Sequence, residues 1–293
     1  MNIIKYRTSY FIFSGILILA SIASLAVWGL RFGIDFTGGS LMEIQYINKV
    51  PPQQEIKDKL ASLNLGEINV QPAGENSVIL RLKDVDETTH QILLSALGNV
   101  EEKRFESVGP VIGEELKNRA YLAIGLTILM IMIYIAWAFR KVSRPVPSWQ
   151  YGLATVAALT HDVFIPAGFF VVLGHYKGIE IGLLFITALL TVLGFSVHDT
   201  IVVFDRIREN LRRGIGDSFE DTINLSINQT LTRSINTSLT VLLTLAAIYF
   251  FGGETVKYFA LALIVGIIFG TYSSIFIASP LLLVFERLKQ KRR

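Results

Sequence analysis

The chain has 293 residues, a formal net charge of +3 and a hydrophobic fraction of 52%. So much apolar surface is rare in a soluble protein of this length and indicates a membrane protein. The chain has no cysteine, which excludes disulfides, thiolate metal sites and a cysteine nucleophile. Lys and Arg occur in short clusters, a signal of membrane topology, so we expect no nucleic-acid binding.

Six apolar segments reach the length of about 20 residues that a helix needs to span a bilayer. They lie at roughly residues 10–30, 119–139, 151–174, 180–203, 233–252 and 257–284. The first apolar run is longer than the roughly 7–15 residues of a signal peptide, so we predict a retained membrane anchor. The sequence thus predicts an α-helical membrane protein with six transmembrane helices.

Basic residues on the short connections predict the orientation of these helices. The opposite loops, "GHYKGIE" and "FGGETVK", hold one lysine each. By the positive-inside rule, both termini then lie in the cytoplasm and the segment between the first two spans lies outside. The basic connections carry Lys5, Arg7, Arg140, Lys141, Arg144, Arg206, Arg208, Arg212, Arg213, Arg287, Lys289, Lys291, Arg292 and Arg293.

The long segment between the first two spans has the pattern of a folded domain. Its apolar spacing predicts strand, helix, two strands, helix and strand, which is the β-α-β-β-α-β order of ferredoxin-like domains. We therefore predict three parts. They are an N-terminal tail with the first span (1–35), an extracytoplasmic ferredoxin-like α+β domain (36–112) and a bundle of five further spans (113–293).

A cytoplasmic connector at about 205–232 precedes the fifth span. Ser218 and Asp221 fit a helix capping box. The spacing predicts an amphipathic helix lying on the membrane surface, and a plain structural connector is the alternative. The apolar positions that repeat every four residues are Phe219, Ile223, Ile227 and Leu231.

An acidic residue stands near the end of the fourth apolar segment, in "SVHDTIVVFDR". Counting from Glu180 at 1.5 Å per residue puts Asp199 about 28 Å along the helix, near the cytoplasmic edge of a core of about 30 Å. Four apolar residues follow before Asp205, which favours a position below the membrane surface. Carboxylates inside membranes usually face a partner or a watery cavity, so we expect a functional group; a solvated helix end is the alternative.

The fifth segment supplies a candidate partner for Asp199. Arg233 leads a polar stripe at helical spacing, and such a stripe on a membrane helix faces protein or water. The alternative for Arg233 is that its side chain snorkels to the lipid headgroups. The rest of the stripe consists of Asn236, Thr237, Thr240 and Thr244.

Two histidines lie beside acidic residues in the third and fourth segments. His161 and Asp162 are either a functional pair or a hydrogen-bonded packing pair. His198 directly precedes Asp199 and is either a group that titrates near neutral pH or a fixed hydrogen-bond donor.

The sixth segment predicts a helix-packing face and carries no chemistry. Small residues recur there every four positions, at Ala262, Gly266, Gly270 and Ser274. The chain also lacks the GxxxxGK[ST], HExxH and GxSxG motifs of nucleotide sites and hydrolases. We therefore expect no enzymatic activity, no metal and no cofactor, and any work would draw on ions or protons.

Three motifs together resemble the SecF branch of the SecD/SecF family of bacterial protein-export membrane proteins, which belongs to the RND superfamily. The first is "GIDFTGGS" (33–40), the second is "VGPVIGEEL" (108–116) and the third is "DTIVVFDRIREN" (199–210). They occur in the right order around six spans and one outer domain, so the resemblance covers nearly the whole chain.

The resemblance implies a subunit of the bacterial inner membrane, embedded in membrane lipid, that pairs with SecD and works beside the SecYEG channel. YajC is a further candidate partner. The pair would use proton flow to pull the translocating preprotein. Family proton-relay positions match Asp199 and Arg233, and Asp162 is carried as a further candidate. Family members usually have Asn where this chain has His198, which we include for its effect on proton affinity.

The glycine motif has two interpretations. Gly38 and Gly39, after Asp35, form either a tight structural turn or a hinge that transmits motion. Two other functions also remain open. The chain could be an RND-type exporter of lipids or small molecules, although six spans and one small domain are half of that architecture. A structural scaffold would tolerate a neutral replacement of Asp199.

Overall fold

The computed structural model describes residues 2–47, 49–63, 65–66, 68–73, 76–140 and 145–290. Lys141, Arg144 and the basic tail 291–293, which enter the orientation argument, lie outside the described residues. In chain order, the α-helices are α1 (Arg7–Trp28), α2 (Ile34–Thr37), α3 (Gln53–Leu60), α4 (Glu87–Leu97), α5 (Pro110–Ala138), α6 (Ser148–Lys177), α7 (Leu183–Arg213), α8 (Phe219–Phe251), α9 (Glu254–Ser273) and α10 (Ser279–Gln290).

Six helical stretches in the described part of the chain are long and apolar enough to cross a membrane, as predicted. Five of them are α1, α5, α6, α7 and α8. The sixth joins α9 to α10 through a π-helical turn at Ser274–Ala278. α7 runs to Arg213, ten residues past the predicted end of its apolar segment, because the polar residues that follow remain helical.

The predicted connector before the fifth span is not a separate helix on a membrane surface. α8 begins at Phe219 and continues without a break to Phe251. Ser218 is the N-cap of α8, since its side chain accepts the Asp221 N–H at 3.1 Å. Ile223 and Ile227 are fully buried in the core of the bundle, so protein and not lipid covers this apolar face.

Three aromatic rings lie in that core. Phe139 stacks on Tyr151 with ring centroids 5.3 Å apart, and both meet the edge of Phe204, at 5.9 and 5.2 Å. Tyr151 and Phe204 are fully buried. The rings join the end of α5, the start of α6 and the middle of α7.

The N-terminal tail packs onto the first turns of α8. Ile3 and Ile4 are buried, and their backbone N–H groups donate to Oδ1 of Asn224, at 2.8 and 3.4 Å. Arg7 forms an ion pair with Glu220 at 3.0 Å. These contacts hold the segment that precedes the first span against the fifth.

The segment between α1 and α5 forms an antiparallel four-stranded sheet. Its strands are β1 (Gly39–Tyr46), β2 (Asn69–Pro72), β3 (Ser77–Leu82) and β4 (Val100–Val108), in the order β2-β3-β1-β4. The observed element order, β1-α3-β2-β3-α4-β4, is the predicted one. Side chains alternate along a strand, so every second residue of β3 is buried.

The sheet and its two helices enclose a core of their own. Met42 and Ile44 of β1 and Leu80 of β3 are fully buried, together with Ile56 of α3 and Leu93 of α4. The helices therefore cover one face of the sheet, as the amphipathic spacing of their sequences requires.

The chain divides into two compact units. One comprises Phe32–Tyr121 together with Glu180–Leu183 and is called the α/β domain below. The other, the helical bundle, comprises Met1–Arg31, Leu122–Ile179 and Leu184–Arg293. The α/β domain is wider than the predicted 36–112 because it includes the start of α5 and the short connection that precedes α7.

Candidate functional site

Asp199 is buried within the helical bundle. It lies on α7 about 24 Å from the first residue of that helix, and its side chain is 8% exposed. Ser234 of α8 donates a hydrogen bond to Oδ1. Oδ2 has no hydrogen-bond partner among the described residues. The side chain is therefore not at a solvated helix end; it faces a neighbouring helix with one oxygen unpaired.

Arg233 does not contact Asp199 in this structure. Its side chain is exposed, and the next residue, Ser234, faces Asp199 instead. Adjacent residues of a helix point about 100° apart, so only one of the two can face α7 at a time. The expected pairing of Arg233 with Asp199 is therefore replaced by a hydrogen bond from Ser234, a residue that was not predicted to belong to the site.

The predicted polar stripe of α8 lies on the surface of this chain. The side chains that face the interior are instead Ser234 and Ser238. The hydroxyl groups of Ser238 and of Thr271 on α9 share a hydrogen bond of 2.6 Å. The stripe residues Arg233, Asn236, Thr237, Thr240 and Thr244 are all exposed.

A second carboxylate, Asp162, lies in a fully buried cluster. Its Oδ2 accepts hydrogen bonds from Ser196 of α7 at 2.5 Å and from Ser273 of α9 at 2.8 Å. Its Oδ1 lies 3.0 Å from Nδ1 of His161. Nε2 of His161 has no hydrogen-bond partner among the described residues. Ser273 was not predicted as a site residue, although it lies beside the predicted packing position Ser274.

Ser196, which binds Asp162, precedes Asp199 by about one turn of α7. Thr200, which follows Asp199, shares a hydrogen bond of 2.8 Å with Ser274 at the π-helical turn. Polar side chains thus link α6, α7 and the sixth span on either side of Asp199.

His198 is exposed, in contrast to its neighbour Asp199. The two side chains point to different sides of α7, as adjacent helical positions must. In the described part of the chain, no group of three or more His, Asp or Glu residues is arranged to hold a metal ion.

The predicted packing face of the sixth span contacts α7. A Cβ atom built on Gly266 would overlap Val192, and one on Gly270 would lie 3.1 Å from Cβ of Ser196. Close approach of α9 to α7 therefore depends on these glycines, and the face serves packing within the chain.

The glycine motif forms a tight turn against the start of α5. Gly38 has φ of 73° and Gly39 has φ of 123°, conformations that side chains disfavour. A Cβ on Gly38 would lie 2.6 Å from Cα of Pro110, and one on Gly113 would lie 2.9 Å from N of Gly38. The "DFTGG" and "VGPVIG" motifs are thus packed backbone to backbone, which favours the structural turn over a flexible hinge.

Asp35 of the same motif binds the start of α7. Its Oδ2 accepts the backbone N–H of Leu183 at 2.7 Å. This contact lies within the α/β domain, because that domain includes the connection 180–183.

Two family descriptions match the chain. Residues 88–288, more than half of it, match "Protein export membrane protein SecD/SecF, C-terminal". Residues 23–46 match the "SecD/SecF GG Motif", which contains the turn at Gly38 and Gly39.

Similarity to known proteins extends over the whole chain. The protein translocase subunit SecF of Thermobaculum terrenum is 47% identical over 98% of this chain and 94% of its own length. The SecF subunit of Anaerolinea thermophila is 40% identical with the same coverage. The SecDF subunit of Brucella abortus is 38% identical over 96% of this chain, which spans only 37% of that longer protein.

A solved structure has the same fold. The crystal structure of SecDF from Thermus thermophilus, described as a translocon-associated membrane protein, matches with a TM-score of 0.82 and 32% identity. The match covers 100% of this chain and 39% of that chain. The resemblance inferred from the three motifs is confirmed, and the chain belongs to the SecD/SecF family of protein export membrane proteins.

Proposed function

We propose that this translocase subunit of the SecF type pairs with SecD and uses the proton gradient to assist protein export, with Asp199 as the proton carrier. The observation that supports the proposal is the hydrogen bonding of the two Asp199 carboxylate oxygens. One oxygen accepts from Ser234, whereas Oδ2 is buried without a partner among the described residues. An unpaired charged oxygen away from water is costly, and a proton bound there removes the charge.

Arg233 would act as the switch for this proton. In a second state, rotation of α8 or of the arginine side chain exchanges Ser234 for the guanidinium, which favours the ionised carboxylate because the charges are opposite. Return to the state described above favours proton uptake. Each proton that crosses about 100 mV releases about 2.3 kcal/mol, enough to bias a two-state equilibrium by more than tenfold. His198 and Asp162 are further candidate members of the relay.

Pairing with SecD is supported by the exposed polar stripe of α8. A row of one arginine, one asparagine and three threonines is unfavourable toward lipid tails, and a second subunit would cover it. The SecDF relatives, in which this chain corresponds to 37–39% of a longer protein, fit a partner held in the same complex. SecYEG, YajC and the translocating preprotein are proposed as the wider set of partners.

We also propose a bacterial inner-membrane location with both termini in the cytoplasm, on the charge asymmetry of the short connections. The α/β domain then lies outside, and its strand order supports assignment to the ferredoxin-like class. The chain would act without enzymatic chemistry of its own.

The test is export of a reporter protein by membrane vesicles that contain this chain with SecD and the channel. Asp199→Asn keeps the shape and the hydrogen bond to Ser234 but cannot titrate, so the stimulation that depends on the proton gradient should be lost while the complex still assembles. Asp205→Asn is the matched control, because Asp205 is an exposed carboxylate on the same helix. Full gradient-dependent stimulation in Asp199→Asn would refute the carrier role.

A substitution at Arg233 distinguishes the two interpretations of this residue. Arg233→Lys should be nearly silent if the side chain only snorkels, since lysine snorkels equally well. If the planar guanidinium tunes Asp199, lysine should fail even though the charge is kept.

A further inference from the structure

The connection between α6 and α7 is built into the α/β domain. Ile181 forms a parallel bridge with Phe32, and its carbonyl accepts the Gly33 N–H at 2.9 Å. Glu180 lies 2.8 Å from Nε of Arg81 on β3. The N–H of Leu183 donates to Asp35 at 2.7 Å. Backbone and side chains thus hold three of the four residues 180–183.

Asp35 replaces a helix cap that the local sequence does not provide. The residue before α7 is Gly182, which has no side chain that could accept a hydrogen bond from the backbone N–H groups of the first turn. Asp35 reaches that turn from a segment 148 residues earlier. Its negative charge also suits the positive end of the helix dipole. A Cβ on Gly182 would overlap Oδ2 of Asp35, so the glycine is what lets the carboxylate approach.

Arg81 joins the same connection to the sheet. Its side chain is 17% exposed and that of Glu180 is 22% exposed, so the ion pair is largely shielded from solvent. Nε of Arg81 has no hydrogen-bond partner among the described residues, so its contact with Glu180 is described as an ion pair. The NH1 group of Arg81 donates to Gln71 of β2 at 2.8 Å, which fixes the guanidinium on the sheet.

The helix that starts at this joint is the one that carries Asp199. α7 runs for 31 residues without a proline. α1, by contrast, ends at Trp28, and the positive φ of Gly29, 67°, breaks the helical conformation before the α/β domain begins at Phe32. A displacement of α7 along its axis is therefore passed on with little loss, because the helix is one hydrogen-bonded rod.

We propose that Asp35 and the Arg81–Glu180 pair fasten the start of α7 to the α/β domain, so that movement of α7 relative to α8, caused by proton exchange at Asp199, is delivered directly to that domain. The proposal rests on the proton-carrier role of Asp199 and assigns Asp35, Arg81 and Glu180 as positioning residues. The glycine motif then acts as a clamp on a moving helix, not as a hinge.

A charge exchange tests the ion pair. Glu180→Arg places two cations together and should reduce gradient-dependent export stimulation several-fold, with assembly with SecD unchanged. The double variant Arg81→Glu with Glu180→Arg restores an opposite-charge pair and should recover most of the stimulation. If Glu180→Arg fails to assemble, the neutral Glu180→Gln takes its place. Wild-type stimulation in the assembled single variant, or no recovery in the double variant, overturns the proposal.

Asp35 is tested by a matched pair of substitutions. Asp35→Asn keeps an oxygen that can accept the Leu183 N–H and should retain most of the stimulation. Asp35→Leu removes the acceptor at nearly equal size and should lose it. Equal behaviour of the two variants contradicts a capping role.

Spin-label distances show whether motion reaches the domain. The chain has no native cysteine, so Ile92→Cys on α4 and Leu288→Cys on α10, at positions 47% and 54% exposed, give one labelled pair. The label distance in the complex with SecD should change between pH 5 and pH 8, and should not change in Asp199→Asn or in Glu180→Arg. A change that persists in Asp199→Asn refutes the proton-carrier role. A change that is lost in Asp199→Asn but kept in Glu180→Arg refutes only the fastening proposed here.

Discussion

Replacement of Gly38 by alanine should weaken the α/β domain more than the same change at Gly98. Both glycines have positive φ, 73° and 83°, so both substitutions force alanine into a disfavoured conformation. They differ in their surroundings. A Cβ on Gly38 would lie 2.6 Å from Cα and 2.8 Å from N of Pro110, whereas nothing lies within 4 Å of one on Gly98.

The expected magnitudes follow from these two contributions. A left-handed backbone costs a residue with a side chain about 1–2 kcal/mol, and this is the whole effect expected at Gly98→Ala. Forcing an extra methyl group into a packed site costs about 1–3 kcal/mol more. The overlap at Gly38 is with backbone atoms of α5, which cannot rotate away as a side chain could. We therefore expect Gly38→Ala to lower the free energy of unfolding of the domain by about 2–5 kcal/mol.

Amide hydrogen exchange of the full chain in detergent measures this difference locally. The amides of Met42 and Leu80, in the two central strands, should exchange about 30-fold to a few thousand-fold faster in Gly38→Ala than in the wild-type chain. In Gly98→Ala the increase should stay between about 5-fold and 30-fold. Equal acceleration in the two variants would show that the contact with Pro110 does not constrain the turn.

Two further outcomes are expected. Hydrogen bonds from the side chain and backbone N–H of Thr89 hold the pKa of Asp86, the N-cap of α4, below its ordinary value. The stability that ionised Asp86 adds is therefore present above about pH 4 and lost as the pH falls through its lower folded-state pKa. Asp86→Asn should weaken the loss of hydrogen-exchange protection that the α/β domain shows as the pH falls below about 4. An unchanged pH dependence contradicts this. Gly266→Val should lower the free energy of unfolding of the bundle by about 1–3 kcal/mol, because the new side chain overlaps Val192. A thermal melt should show the loss, and the second substitution Val192→Ala should restore part of the stability. Gly125→Val, with open space around its Cβ, is the control, and an equal loss there would point to a general effect of valine.

The burial of Asp199 was predictable from sequence, but its hydrogen-bond partner was not. The four apolar residues that follow favoured a position of Asp199 below the membrane surface, and the structure buries the residue. Which residue of α8 faces it depends on the rotation of that helix about its axis. A rotation of about 100° exchanges Arg233 for Ser234, and no local pattern in the sequence records the angle.

The continuity of α8 was missed for a related reason. Apolar residues spaced by four predict an amphipathic helix whether lipid or protein covers the apolar face. Ile223 and Ile227 meet the bundle core, which only the assembled fold reveals. The cap that Asp35 provides to α7 joins residues 148 positions apart and likewise leaves no local signal. The α/β domain was easier to predict, because alternation in its strands and helical spacing reflect contacts between near neighbours.

The docking of the N-terminal tail on α8 has a consequence for biosynthesis. Arg7 meets Glu220, which is 213 residues later in the chain. At about 5–20 residues per second, a ribosome needs about 10–40 s to reach that partner after the tail has emerged. Ile3 and Ile4, buried in the finished protein, lack their hydrogen bonds to Asn224 of α8 throughout this interval. The contacts of this tail with α8 are thus among the last in the bundle to form, because they wait until the start of the fifth span is synthesised.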